Sequence, residues 1–186
     1  GLGSQLRCGS CGPMASGPGP DPPRRVARPI PLGPSGPMEP RFVHLHVHSE
    51  YSLVDGLADI KSLVRATARA GMAAVAVTDR SALFSMVRFY KAAVAEGVKP
   101  VIGVDCWLRN PADPAKPDQA VILVQGSRGY HHLTRLVSRS YRENQHLGRA
   151  LLEPEWLRDA NEGLIVLSGG REGDVGRLLL AGRVDE

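Results

Sequence analysis

The 186-residue sequence contains no run of about 18 apolar residues, so nothing in it reads as a membrane-spanning helix. The N-terminus lacks the charged start, apolar centre and cleavage site of a secretory leader, which makes the cytoplasm the expected compartment. Cysteine is scarce: three residues give no disulfide framework. Cys106 lies in an apolar stretch and reads as a buried thiol. Cys8 and Cys11 have C-x-x-C spacing, but no second pair exists and no βαβ pattern follows, which argues against zinc and redox chemistry there. A dominant charge is also missing. The net charge is +4, and residues 1–40 supply +2 of it, with Arg7, Arg24, Arg25 and Arg28 set against Asp21 and Glu39. What remains is too little to imply a nucleic-acid groove from net charge alone.

Aliphatic residues are sparse in the first forty positions, which hold ten of the fifteen prolines and eight of the twenty-one glycines. Such a segment cannot offset its ordering entropy, so residues 1–38 are expected to be a disordered tail and residues 39–186 the folded part. Met38 is a candidate natural start.

The folded part alternates elements. Ile60, Leu63, Val64, Thr67 and Ala68 recur at helical spacing, closed by Gly71, and Ala73–Val77 is a short apolar run ending at Thr78-Asp79. A helix is predicted over 83–96 with Val87, Tyr90, Ala93 and Val94 inward, then a strand over 99–104. A solvated loop covers 110–118 and a strand 120–124. A helix over 130–142, a short helix over 154–159, a strand over 164–167 and a helix from Gly173 complete the chain. Strands separated by helices indicate βαβ units, hence an α/β fold with a parallel sheet or barrel.

Chemistry concentrates in Arg41-Phe-Val-His-Leu-His-Val-His-Ser-Glu-Tyr-Ser-Leu-Val-Asp-Gly56. Residues 42–47 alternate as a strand requires, with Phe42, His44 and His46 on one face and Val43, Leu45 and Val47 on the other. His46 and His48 are spaced to chelate an ion through neutral imidazoles, with Asp55 a few residues on. The plain alternative is a polar-faced edge strand.

His-x-His, then Ser-x-x-x-x-Asp-Gly, then Thr-Asp after the next strand resembles the polymerase-and-histidinol-phosphatase (PHP) domain. FVHLHVHSEYSLVDGLA, KPVIG, GYHHL and NEGLIVLSGGREGDVGRLLL are similar to the form of that domain found at the front of the DNA polymerase III alpha subunit family of proteobacteria. The resemblance implies a PHP-type distorted (β/α)7 barrel with its metal site at the C-terminal ends of the strands. About five βα units fit before Glu186, so the chain is expected to be a truncated, partial barrel. Palm carboxylates binding Mg2+ for nucleotidyl transfer would then lie outside it, and no polymerase residue can be assigned within it. Contact with DNA would fall to domains further along the chain.

The resemblance also supplies an audit of the metal site. His46, His48 and Asp55 match the ligand pattern. The histidine after Thr-Asp is replaced by Arg80, Gly-x-Glu ends in Asp105, the histidine opening the next strand is Gln119, and the cysteine after Ser-Gly is Gly170. Asp105 is a methylene shorter than glutamate, and Arg80 is a permanent cation where a dication would sit. The expected centre is vestigial, free of cofactors, with Arg80 pairing Asp55 or Asp79 instead. The family implies docking of a proofreading exonuclease subunit and other replisome subunits on such a domain. A metal-dependent PHP phosphoesterase or nuclease is the alternative, and it requires the missing ligands.

The remaining singled-out groups carry plainer expectations. His131 and His132 are read as surface or satisfied polar contacts, and Trp107 and Trp156 as packing residues. Arg135, Arg139 and Arg142 could touch phosphate, but a solvated face is the preferred account. Ser168–Gly173 is read as a turn.

Overall fold

In a computed structural model, residues 42–183 are described. The predicted tail and the Cys8–Cys11 pair lie outside them. The elements are α1 (Ile60–Arg69), β1 (Ala74–Val77), α2 (Met86–Ala95), β2 (Lys99–Leu108), β3 (Asp118–Val124), α3 (Ser127–Glu143), β4 (Gln145–His146), β5 (Arg149–Leu152), α4 (Pro154–Asp159), β6 (Leu164–Ser168) and α5 (Asp174–Leu180). A single 3-10 turn, Gly170–Glu172, occupies the predicted Ser168–Gly173 turn. None of the helices is long and apolar enough to cross a membrane among the described residues.

The sheet is mixed. β2 pairs with β1 and with β5 in parallel, but β3 runs antiparallel to both β2 and β6. The parallel sheet or barrel expected from strand–helix alternation holds for β1, β2 and β5 and is corrected at β3, which is antiparallel to both its neighbours. Between β2 and β3 there is a loop and no helix, and without a crossover the chain simply folds back. The other unpredicted feature is the β4–β5 hairpin. Its two turn residues, Leu147 and Gly148, both have positive φ (50° and 75°), the geometry of a tight primed turn.

Three apolar clusters organise the packing. α1 and α2 press Ile60, Val64, Phe89 and Ala93 onto Val75 and Val77 of β1. α3 presses Leu133 and Leu136 onto Val104, Cys106 and Ile122, with Leu152 and Trp156 alongside. On the opposite, inner face, Ala76, Val121 and Leu123 meet Val101 and Leu167. Pairing of Asp105 with Val121 puts Asp105 on that same inner face. Helix α2 departs from expectation. Phe89 and Ala93 face the core, whereas Val87, Tyr90 and Val94 are about half exposed, at 55%, 52% and 48%. Phe89 lies on the opposite side of the helix from Val87, and the larger ring wins the core.

The histidine segment is extended but is not a ladder strand. It touches β1 through a single bridge, His44 to Val75, and through Ala76 and Thr78 N–H groups donating to the carbonyls of His44 and Val47. The Thr78 hydroxyl completes the attachment, accepting from the Val47 N–H at 3.0 Å and donating to the Val47 carbonyl at 3.2 Å.

Candidate metal centre with an internal cation

Two chain segments meet where β1 ends. Past Val77 the backbone continues alongside β2, so that Arg80 forms a parallel bridge with Asp105, and the Ser81 N–H donates to the Asp105 carbonyl at 2.8 Å. The histidine segment runs along the other side of β1 and then turns sharply. That turn is closed by Ser52 and Gly56 N–H groups donating to the carbonyls of Ser49 and Ser52. A Cβ on Gly56 would sit 1.7 Å from the Ser49 carbonyl oxygen, so only glycine fits there. The turn returns Asp55 to the site.

His46 Nε2, His48 Nε2 and Asp105 Oδ2 form a triangle with sides of 3.2, 3.1 and 3.0 Å. Among the described residues these three are the group able to offer ligand atoms to a single ion. The expectation that Asp105 falls short is thus corrected. Its carboxylate reaches both histidines from a position on β2 that bridges Arg80, beyond the end of β1. Asp55 Oδ1 lies 3.0 Å from His48 Nδ1. Arg80 donates from Nε and Nη2 to Asp55 Oδ2 at 3.2 and 2.8 Å, and its Nη1 stands 3.4 Å from Asp105 Oδ2. The guanidinium stacks on Trp107 at 4.8 Å, and Arg149 stacks on the same indole at 4.9 Å. Gln119 lies opposite Trp107 in the β2–β3 register, and Gly170 opens the 3-10 turn with φ of 58°. Neither has a side chain suited to replace the ligand that the resemblance expects there.

Asp79 does not join this cluster, contrary to expectation. It is 1% exposed and accepts from the Ser49 N–H at 2.7 Å, the Ser49 hydroxyl at 2.9 Å and the Ser85 hydroxyl. The expected partner of Arg80 is therefore Asp55, and Asp79 instead pins the turn after His48 to the start of α2.

The charges can be followed atom by atom. Both ring nitrogens of His48 face carboxylate oxygens at 3.0 Å, and such oxygens only accept, an arrangement that favours a proton on each nitrogen. The hydrogen bond from Asp105 raises the His48 pKa above its ordinary value; burial opposes this, the charges of Asp55 and Asp105 reinforce it, and Arg80 opposes it. Asp55 is held below the usual carboxylate range. Burial pushes it up, but hydrogen bonds from Ser52 and Arg80, with the charges of His48 and Arg80, outweigh that.

By distance, the triangle admits one ion bonded at about 2.0–2.1 Å. Binding would require neutral imidazoles and a dication beside Arg80, at a cost of a kcal/mol or more per unit charge at about 4 Å even with solvent screening. The fuller hydrolytic centre does not fit these residues, since Arg80, Gln119 and Gly170 supply no ligand.

Residues 44–186 match the PHP domain family. The chain belongs to the PHP family. This PHP chain is 47% identical over 150 residues to the DNA polymerase III subunit alpha of Pseudomonas fluorescens, covering 80% of this chain and 13% of that protein. It is 44% identical over 151 residues to the subunit of the same name from Escherichia coli K12, with the same coverage. It therefore spans about an eighth of the length of the curated relatives it matches. An amidohydrolase structure from Chromobacterium violaceum has a TM-score of 0.42 and 19% identity, covering 53% of this chain and 32% of that one, a likeness too slight to carry weight.

Other expectations can be placed. His132 Nδ1 donates to the Glu162 carbonyl at 3.0 Å, a satisfied polar contact. Trp156 packs against the α3 cluster with the Arg139 guanidinium 3.9 Å from its ring. Cys106 is buried, and burial pushes its thiol far above the ordinary range.

Proposed function

We propose that this PHP chain is part of a replicative DNA-directed DNA polymerase of the DNA polymerase III alpha type, and that it acts there as a scaffold and docking platform rather than as a hydrolase. The parent would be a cytoplasmic nucleotidyltransferase using Mg2+ at carboxylates outside these residues, where it would also hold DNA. The observation that carries the scaffold reading is Arg80, braced between Asp55 and Asp105 where a hydrolytic PHP site needs a metal ligand. The short contacts of Asp55 with both His48 and Arg80 support it, and so does an intact core beneath the site. The purified protein is expected to hold well under one equivalent of zinc, manganese or iron by elemental analysis, and to lack phosphodiesterase activity. Stoichiometric metal together with activity lost in His46→Ala would establish the phosphoesterase reading instead.

The outward face of α2 supports the platform role. Val87, Tyr90 and Val94 of the helix, with Phe84 in the turn before it, are exposed apolar residues beside an otherwise well-packed core. The partner that the family resemblance implies is a proofreading exonuclease subunit, and a stable complex needs about 800 Å² per partner. Val87→Glu combined with Val94→Glu is expected to weaken association with the exonuclease subunit of the same organism at least tenfold by calorimetry, without changing the melting temperature. Undiminished association would remove α2 from the interface.

A further inference from the structure

Helix α3 carries a second surface that the PHP site does not use. Arg128, His131, Arg135, Ser138 and Arg142 are spaced three or four residues apart, so they form one stripe along the helix, and all five are exposed. The stripe runs about 21 Å at 1.5 Å per residue. Glu143 is the single acidic residue in the helix, and its carboxylate is engaged by Arg139 at 2.7 Å. Arg128 is paired with Glu162. Among the described residues Arg135 and Arg142 have no ion-pair or hydrogen-bond partner, and with Thr134 and Ser138 they line a shallow groove of about 340 Å³.

We infer that this face of α3 binds the sugar-phosphate backbone of nucleic acid. Guanidiniums interleaved with hydroxyls are the groups that contact phosphate oxygens. A protein partner would need an apolar centre to its interface, and this stripe has none. Trp156 beside the helix is covered by the Arg139 guanidinium. A hydrated polyanion suits the surface better than an acidic protein does. The low net charge of the domain does not oppose this, because the positive charge is gathered on one helix face.

The test uses the 186-residue protein with a short labelled DNA duplex, its single strand, and polyglutamate, followed by fluorescence anisotropy between about 50 and 200 mM salt. The wild type is expected to bind nucleic acid with an affinity that falls steeply with salt. The Arg135→Ala/Arg142→Ala double variant should lose about two units of the log–log salt slope on duplex, roughly 0.9 per phosphate contact. The corresponding double lysine variant should keep the slope, and circular dichroism should be unchanged in both. Tighter binding of duplex or of single strand identifies the source of the backbone. Absence of binding at low salt, an unchanged slope in the alanine variant, or polyglutamate bound as tightly and weakened by the same substitutions would each overturn the inference. The basic tail does not confound the result, because the comparison is between proteins that share it.

Discussion

Arg80→Ala is expected to destabilise the fold by about 3 kcal/mol, the lower end of the range for breaking a buried ion pair, since the arginine side chain is 22% exposed and Asp55 33%. At roughly 2–4 °C per kcal/mol for a chain of this size, the melting temperature should fall by about 10 °C. Four contacts disappear together: the two hydrogen bonds to Asp55, the approach to Asp105, and the stack on Trp107. The larger part of the loss comes from Asp105, which is 1% exposed and would face only the histidines. Arg80→Lys keeps the charge but not the fork, so it should fall between the two. Asp55→Asn combined with Arg80→Ala should cost clearly less than the sum of the single changes, because each partner's loss already strands the other. Thermal unfolding of the four proteins measures this. If Arg80→Ala melts like the wild type, the guanidinium points into solvent and the internal-cation account fails. Arg80→His alone should not restore metal, because Gln119 and Gly170 still supply no ligand.

Much of the architecture is legible in the residues because local patterns and tertiary packing agree. Pro154-Glu-Trp-Leu-Arg-Asp159 reads as a short helix and is one, with proline at its start. The apolar runs predicted over 73–77 and 164–167 are strands, at Ala74–Val77 and Leu164–Ser168. Helix α2 is less legible because periodicity offers two apolar faces, Phe89–Ala93 and Val87–Tyr90–Val94, and only packing volume chooses between them. Strand direction around β3 depends on whether the connection is long enough to cross over, which the loop after Leu108 signals only weakly. At the site, His46, His48 and Asp55 could be named from the motif, and so could the pairing of Arg80 with a carboxylate. The reach of Asp105 could not, because it depends on how the histidine segment and β2, far apart in sequence, are placed around β1. The role of Asp79 was hidden for a similar reason: Ser49 and Ser85 are 36 residues apart and nothing local marks them as its partners.

Asp79→Ala is expected to cost at least as much as Arg80→Ala, about 3–5 kcal/mol. The carboxylate accepts from a backbone N–H and two hydroxyls, all buried, and each donor left unpaired carries a penalty of about 1–3 kcal/mol, which partial relaxation reduces. Ser85 is the N-cap residue of α2, but its hydroxyl makes no cap bond and is spent on Asp79 instead. Ser49 directly follows His48, so one carboxylate holds the start of α2 and the site turn in register. Ser85→Ala removes a single donor and should cost about 1 kcal/mol. Asp79→Asn keeps the shape but presents an amide NH2 toward a donor, so it should lie between these two. Because the group is buried, the effect should hardly change with salt, unlike that of the partly exposed Arg80 pair. Chemical denaturation of the three variants at low and high salt gives the answer. An Asp79→Ala protein no less stable than Ser85→Ala would mean that the Ser49 turn holds without the carboxylate and that His48 is positioned by the Gly56 turn alone.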